Sequence, residues 1–142
     1  MCGIAGIVAP DLSPVDRLGL VRGMVERLRH RGPSGEAFWD DGECALGIAR
    51  LAIVAPNQPA SVLANEQGDV RGVVNGEFYN HRALLSELRG RGHSIADGPD
   101  TALLPHLYEE HGVEFPVSID GMFAVALWDQ GTRTLLLARD RA

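Results

Sequence analysis

The chain has 142 residues, a length that suits one domain with its own hydrophobic core and no disulfide staples. Hydrophobic residues make up 45% of it, which excludes a disordered, collagen-like or coiled-coil protein. Its 19 acidic and 13 basic residues give a net charge of -6, so a nucleic-acid-binding surface is disfavoured. Every basic residue is an arginine. This composition excludes lysine Schiff-base chemistry, a Ser–Lys dyad and the lysine-bearing phosphate loop.

The cysteines and the start of the chain predict a cytoplasmic protein. Cys2 and Cys44 are too few for a disulfide framework, which favours a reducing compartment. The first positive charge, Arg17, follows the apolar start, whereas a secretory signal has its charge ahead of the apolar stretch. No stretch reaches the ~18 apolar residues of a membrane span, so we expect no contact with a membrane.

The first third of the chain predicts a strand, a helix and a hairpin. Residues 3–9 are apolar and small, as in a buried strand. Ser13 followed by Pro14 predicts a helix start, and Leu18, Val21 and Val25 follow the spacing of one helix face. Residues 29–35 break that pattern and predict a loop. Residues 36–40 and 45–54 read as strands joined at Asp41-Gly42, a common hairpin dipeptide.

The rest of the chain predicts two hairpins and two helices. Strands are expected at residues 62–64, 70–74, 122–128 and 134–138. Asn80 can cap a helix that ends near Gly92. A second helix lies between Asp100 and His111, and Pro105 within it requires an irregular first turn or a later start. Antiparallel strands with helices between them favour two packed sheets with helices outside, an α+β protein.

Cys2 is the most informative residue, because the second position of a chain is usually frayed and exposed. If Met1 is removed, the residue carries a thiol and an α-amine, with pKa values near ~8.5 and ~7.7–8.0. The amine can then take the thiol proton, which makes a nucleophile with its own base. The alternative is a small buried cysteine at the start of a strand.

Asn75-Gly76 follows an apolar strand and is read in two ways. It is either a turn or an oxyanion site, in which the Asn amide and the Gly N–H converge on developing negative charge. Arg50 lies in an apolar strand and needs a carboxylate, which either the protein or a substrate supplies. Asp100 is either a helix cap or a ligand for a substrate ammonium group. The five histidines have no metal-ligand spacing, so no metal site is predicted.

Taken together, these positions resemble the class II glutamine amidotransferase domain of asparagine synthetase-like proteins. The similarity covers nearly the whole chain, in order. The motifs that carry it are MCGIAGI at 1–7, RHRGP at 29–33, RLAIV at 50–54, QP at 58–59, NGEFYNH at 75–81, DT at 100–101, LYEEHG at 107–112, GMFAVALWD at 121–129 and LLLARDR at 135–141.

The resemblance implies an N-terminal-nucleophile hydrolase fold, a four-layer αββα sandwich of antiparallel sheets, with residues 1–142 as one amidotransferase domain. It also implies the roles of the site residues. Cys2 would attack the glutamine side-chain amide, and Asn75 and the Gly76 N–H would hold the oxyanion. Arg50 would bind the α-carboxylate of glutamine. The α-ammonium would lie against Asp100 and Glu77, near the Ile53 backbone.

The chain departs from the family's pattern in places near those residues. Ser34 stands where the family has Asp, Ala55 also replaces an Asp, and Ala102 replaces an acid. None of these changes removes an assigned residue. They alter its surroundings, and a displacement of ~1 Å can cost about 100-fold in rate. A retained Met1 would block the α-amine and leave an inactive precursor.

The family's further C-terminal segment and its ATP pyrophosphatase motif are not in this sequence. We therefore expect a domain truncated at its C-terminal end that does not make asparagine by itself. No cofactor is expected in this chain, since ATP and Mg²⁺ belong to the missing synthetase part. The expected partners are glutamine and an ATP-dependent synthetase domain or subunit, and a homo-oligomer is left open. The alternative function is a catalytically silent domain with a structural or regulatory role.

Overall fold

A computed structural model describes residues 1–53 and 57–141. The chain divides into two compact units. The first comprises Met1–Val62 and Val73–Asn75, and the second comprises Leu63–Gly72 and Gly76–Ala142. Within the described residues, no helix has the length and apolar character that crossing a membrane requires.

The first unit is a three-stranded antiparallel sheet covered by one helix. Strands β1 (Gly3–Val8), β2 (Gly35–Asp40) and β3 (Cys44–Arg50) are ordered β1-β3-β2, with helix α1 at Pro14–Arg27. In the register of the sheet, Gly3 pairs with Ala49 and Val8 with Cys44. One end of the sheet therefore holds the start of β1 and the end of β3.

Helix α1 begins and packs as the sequence predicts. The Ser13 side chain accepts a hydrogen bond from the Asp16 N–H, and Pro14 is the first helical residue. Val21 and Val25 are fully buried. They pack over Gly47, where a Cβ would lie 2.8 Å from a methyl group of each valine. A larger residue in the middle of β3 would thus push the helix off the sheet.

A buried ion pair anchors α1, and the sequence analysis did not predict it. Arg17 is fully buried on the face expected to be apolar. Its guanidinium donates to both carboxylate oxygens of Asp40, at 2.5 and 2.8 Å, and to the carbonyls of Ala9 and Leu12. All three guanidinium nitrogens donate to an acceptor, which makes burial of the charge tolerable.

The second unit contains most of a four-stranded antiparallel sheet ordered β4-β5-β6-β7. Its strands are β4 (Leu63–Ala64), β5 (Val70–Phe78), β6 (Gly121–Asp129) and β7 (Thr134–Arg139), and Val73–Asn75 of β5 belong to the first unit. Helices α2 (His81–Gly90) and α3 (Leu104–His111) lie between β5 and β6. Short 3₁₀ helices at Asp100–Leu103 and Gly112–Ser118 flank α3.

Helix α3 packs on this sheet through Leu104, which is fully buried and closes on Gly72 of β5. Phe78 and Phe123 meet edge to face across β5 and β6, with ring centroids 6.0 Å apart. The α+β class is thus confirmed, with a helical layer on the sheet of each unit.

Four local predictions need correction. Strand β3 ends at Arg50 and not at residue 54, because its partner β2 begins at Gly35, the residue opposite Arg50. Strand β5 continues through Asn75-Gly76 to Phe78, so the turn interpretation is wrong. Asn80 precedes α2 without capping it. Its side chain instead accepts from the Asp120 N–H and donates to the Ser118 carbonyl.

The fourth correction concerns Asp100, whose helix-capping alternative is wrong: Pro99 holds that position, and the 3₁₀ helix has no side-chain cap. The helix starts late, as one alternative required, with Pro105 in the first turn of α3. Residues 54–56, which include the end of the predicted strand and Ala55, lie outside the described residues.

Candidate active site

Cys2 lies immediately before β1 at the end of the first sheet where β3 finishes. Its Sγ is 3.3 Å from the Leu51 backbone nitrogen, which donates to it, and 4.0 Å from the Leu51 carbonyl oxygen. The side chain is half-buried, so the sulfur is held and also reachable. An N–H directed at sulfur stabilises the negative charge of a thiolate. The alternative of a fully buried structural cysteine does not fit this position.

The loop at residues 29–35 closes around the same end of the sheet. Gly32 lies so close to the Ala49 and Arg50 backbone that a Cβ there would overlap it. Ser34 donates its N–H to the Arg50 carbonyl at 2.8 Å, and its Oγ accepts from Ala52 at 3.1 Å. This loop therefore fixes the turn that places Leu51 against the sulfur.

Sequence reasoning missed Arg31, which it placed in the predicted loop at residues 29–35 without a role. The Arg31 Nε donates to the Cys2 carbonyl at 3.3 Å, and the residue is half-buried. A cation at that carbonyl holds the first residues of the chain in place. The RHRGP motif signals this position, but no spacing rule connects Arg31 to Cys2.

Arg50, the last residue of β3, stands beside Leu51 and is half-buried. Its Nη1 donates to the Gln58 carbonyl at 2.6 Å, which orients the guanidinium. Ile53 follows in the same segment, with 74% of its surface exposed and its N–H bonded to the Leu51 carbonyl. The first unit thus brings Cys2, Arg50 and Ile53 to one end of its sheet.

Asn75 and Gly76 are neighbours within β5. Asn75 is half-buried, and its side-chain amide forms no hydrogen bond with the residues that the structure describes. Gly76 lies against β6, where a Cβ would overlap the Met122 carbonyl and Phe123 Cα. Close packing of the two strands therefore requires glycine at 76, whatever its N–H does. The Asn75 amide is thus a hydrogen-bond donor without an acceptor among the described residues.

The Asp100 side chain binds the backbone of the last residue of the same strand. Its Oδ2 accepts from the Phe78 N–H at 2.5 Å, which holds the carboxylate at the end of β5. Glu77 precedes Phe78 and shares a strand face with Asn75, since side chains alternate along a strand. The second unit thus places the Asp100 carboxylate at the residue that directly follows Gly76-Glu77 in β5.

Cys44, the other cysteine, has no such chemistry. It is fully buried at the start of β3. Burial raises the pKa of its thiol to about 12, and the carboxylates of Asp41 and Asp40 add to that effect. It therefore stays a neutral thiol at physiological pH, as expected for a core residue.

The absence of metal-ligand spacing did not prevent two histidines from meeting in the fold. His93 and His106 lie beside Glu66 and Glu109 in the second unit, with one ligand atom of each within 4.8 Å of the others. The four residues are separated by up to 43 positions in the sequence, so only the fold connects them.

Comparison with known proteins supports the resemblance read from the sequence. The glutamine amidotransferase domain family matches residues 1–142. Asparagine synthetase [glutamine-hydrolyzing] 3 of Arabidopsis thaliana is 40% identical over 141 residues, and asparagine synthetase [glutamine-hydrolyzing] 2 of Bacillus subtilis is 34% identical over 143. Each alignment covers 99% of this chain, but only 24% and 19% of the relative. The chain therefore spans about a quarter of the length of these curated relatives, or less.

A solved structure shows the same fold. Glutamine phosphoribosylpyrophosphate amidotransferase from B. subtilis aligns with 70% of this chain and 24% of its own, with a TM-score of 0.53 and 21% identity. That protein has the N-terminal-nucleophile amidotransferase fold, which confirms the fold class expected from the sequence. Together, the full-length family match and the relatives at 34–40% identity show that the chain belongs to the glutamine amidotransferase domain family.

Proposed function

We propose that the chain hydrolyses glutamine to glutamate and ammonia, with Cys2 as the nucleophile after removal of Met1. The observation that supports this most directly is the Cys2 sulfur, half-buried and 3.3 Å from a backbone N–H, at the sheet end that also carries Arg50. A nucleophile, a charge-stabilising donor and a cation for a carboxylate are the minimum that an amino-acid amidase needs.

The reaction starts with proton transfer from the Cys2 thiol to its own α-amine. Sγ then attacks the glutamine side-chain carbonyl, the C–N bond breaks, and the amine returns the proton to the leaving ammonia. The product is a thioester on Cys2. Water, deprotonated by the same amine, attacks the thioester and releases glutamate, and the thiol is restored. Met1 is 60% exposed, so a processing enzyme could reach it.

Negative charge develops on the carbonyl oxygen in both steps, and we assign Asn75 and the Gly76 N–H to it. The Asn75 amide is supported in this role because it is a half-buried donor without a partner among the described residues. A donor held in place before the reaction stabilises the transition state without having to reorganise.

We assign recognition of glutamine to the charged residues that the resemblance to the family singles out. Arg50 would pair with the α-carboxylate, and the Gln58 carbonyl orients it for that task. Asp100 uses Oδ2 for the Phe78 N–H, which leaves Oδ1 for the α-ammonium. Glu77 would add a second negative charge for the α-ammonium, and the Ile53 backbone is proposed as a further contact for glutamine.

The ammonia would pass to an ATP-dependent synthetase domain or subunit. The named relatives are asparagine synthetases described as glutamine-hydrolysing, and they are about four to five times as long as this chain. ATP and Mg²⁺ would act in that other part, and this chain would need no cofactor for hydrolysis. We also propose a cytoplasmic location, because both cysteines are free thiols and a reducing compartment keeps thiols in that form.

Glutamate release from glutamine tests the proposal. The protein is first shown by mass spectrometry to lack Met1, and its fold is checked by circular dichroism. We expect turnover in the wild-type chain, none in Cys2→Ala and near-normal turnover in Cys44→Ala, the matched control. Absence of turnover in processed, folded wild-type protein would contradict the proposal and favour a silent domain.

A further inference from the structure

We infer that the second unit contains a binding site for a divalent transition-metal ion such as Zn²⁺, formed by Glu66, His93, His106 and Glu109. These residues come from three separate segments: the turn after β4, the loop after α2, and α3. One ligand atom from each lies within 4.8 Å of the other three. Two imidazole nitrogens with two carboxylate oxygens form a donor set that suits Zn²⁺ and its first-row neighbours.

The spacing of the ligand atoms fits a metal ion at their centre. His106 Nδ1 is 3.1 Å from Glu66 Oε2 and 3.6 Å from Glu109 Oε2. His93 Nδ1 is 3.3 Å from Glu66 Oε1 and 3.9 Å from Glu109 Oε2. In a tetrahedral zinc site with bonds of ~2.0–2.1 Å, neighbouring ligand atoms are about 3.4 Å apart. Each histidine nitrogen therefore lies within 0.5 Å of this spacing from carboxylate oxygens of both Glu66 and Glu109, although the two histidines contact different oxygens of Glu66.

His106 gives an independent indication of a ligand. Its side chain is only 6% exposed, and Nδ1 points at the two carboxylates. Nevertheless, this buried nitrogen makes no hydrogen bond of acceptable geometry within the described part of the chain. Buried nitrogens of this kind are rare, since the loss of hydration is not compensated. A metal ion at the centre of the cluster would satisfy it.

The groups around the cluster are arranged as they are around protein metal sites. His93 Nε2, on the far side of the ring, contacts Glu110 Oε1 at 3.0 Å, and Arg91 in turn holds Glu110 at 2.6 Å. Metal-binding histidines commonly place their other nitrogen on a carboxylate in this way.

Both ligating carboxylates are also fixed. Glu66 accepts from the Ser94 N–H at 2.8 Å, and Glu109 accepts from the Asn65 amide at 2.9 Å. These contacts keep the opposing carboxylates in place before an ion arrives. Because four protein ligands leave no open position, the ion would have a structural role. It would link α3 to the turn after β4 and the loop after α2.

Zinc titration of the full chain by calorimetry tests the inference. Cys2→Ala protein is used, so that the exposed thiol cannot bind the metal. We expect one Zn²⁺ per chain with a dissociation constant in the micromolar range or below, and a melting temperature that rises with Zn²⁺ and falls back with EDTA. The visible spectrum of the Co²⁺ form should be that of a tetrahedral site without sulfur.

The ligand set is tested with two variants, because the buried His106→Ala chain could fail to fold. Glu109→Gln keeps the size and the contact with Asn65, and His93→Ala removes a ring at the surface side. Each should weaken Zn²⁺ binding at least tenfold, whereas His30→Ala, an exposed histidine outside the cluster, should not change it. Absence of binding below millimolar Zn²⁺, or equal affinity in all variants, would overturn the inference. Neither result would affect the glutaminase proposal.

Discussion

The two ends of the first sheet each carry a cysteine, and the two cysteines have different surroundings: Cys44 is fully buried and Cys2 is half-buried. At one end, Cys44 pairs with Val8, and the neighbouring Asp40 is bound by the buried Arg17. At the other end, Cys2 precedes β1, and its sulfur faces a backbone N–H. The two thiols are separated by only the length of one strand.

The difference lies in what closes each end. An internal ion pair and a tight turn close the Cys44 end, and burial, together with the adjacent acids, raises the pKa of the Cys44 thiol. The Cys2 end is closed by backbone groups of Leu51 and by the loop that contains Ser34. One end therefore stabilises the fold, and the other keeps polar donors available. We therefore expect the two thiols to differ in reactivity because their surroundings differ.

The largest effect that this comparison predicts is in thiol reactivity. A glutamine analogue with an electrophilic diazoketone in place of the amide should label Cys2 at least ~100-fold faster than Cys44. A thiol with a pKa of about 12 is ionised in roughly one molecule in 10⁴–10⁵ near pH 7.5, and only the thiolate reacts. Peptide mapping after timed labelling measures the ratio. Comparable labelling of both residues in folded protein would remove the contrast.

The next effect concerns Asn75, which we propose as a donor to the oxyanion. Asn75→Ala should lower kcat roughly 100–1000-fold, because a donor lost from such a site costs about 2.7–4 kcal/mol. KM for glutamine should change little, since the lost interaction forms only in the transition state. Steady-state glutamate release measures both constants. A kcat within threefold of wild type would exclude Asn75 from this role.

The sequence predicted the elements that depend on local patterns. Ser13-Pro14 marked the start of α1, and Asp41-Gly42 marked the β2–β3 hairpin; both were found. The prediction was wrong where tertiary contacts determine the ends of the strands. The end of β3 is set by where its partner strand begins, and Asn75-Gly76 continues a strand because Gly76 packs against β6. No local pattern contains either fact.

The candidate site likewise contains residues that the sequence identified and contacts that only the fold shows. The sequence selected Cys2 by its place in the chain, and the resemblance supplied the roles of Arg50 and Asp100. The Arg31 contact with the Cys2 carbonyl spans 29 positions and had no local signal. For the metal cluster, His106 and Glu109 are three apart on a helix, so half of the ligand set could have been read. The other half depends on how the loops return to α3.

Each end of the sheet also has an arginine: Arg17 lies at the Cys44 end and Arg50 at the Cys2 end. Substitution of each arginine should therefore have a different effect. Arg50→Ala should raise KM for glutamine roughly 10–100-fold, because a charge-assisted bond to the α-carboxylate contributes about 1.5–3 kcal/mol. Arg50→Lys keeps the charge but loses the planar fork, so it should recover only part of the affinity. Arg17→Ala, the matched control, should lower the melting temperature and leave KM unchanged. An unchanged KM in Arg50→Ala would exclude a carboxylate clamp.

Substitution of Asp40 should have the smallest effect on turnover of glutamine, but it should lower the melting temperature clearly. The hydrogen bonds from Arg17 hold the pKa of Asp40 below its usual value of 3.8, although burial acts in the opposite direction. A lowered pKa in the folded state contributes stability above about pH 4, and this contribution is lost as the pH falls further. Asp40→Asn should therefore lower the melting temperature by roughly 5–10 °C at pH 7, with turnover per folded molecule unchanged. The difference should shrink as the pH falls from 4 to 2, because the wild-type carboxylate is then protonated as well.

Melting curves of both proteins from pH 2 to 7 measure this difference in melting temperature. A difference that stays constant over this range would show that the ion pair does not stabilise this end of the sheet.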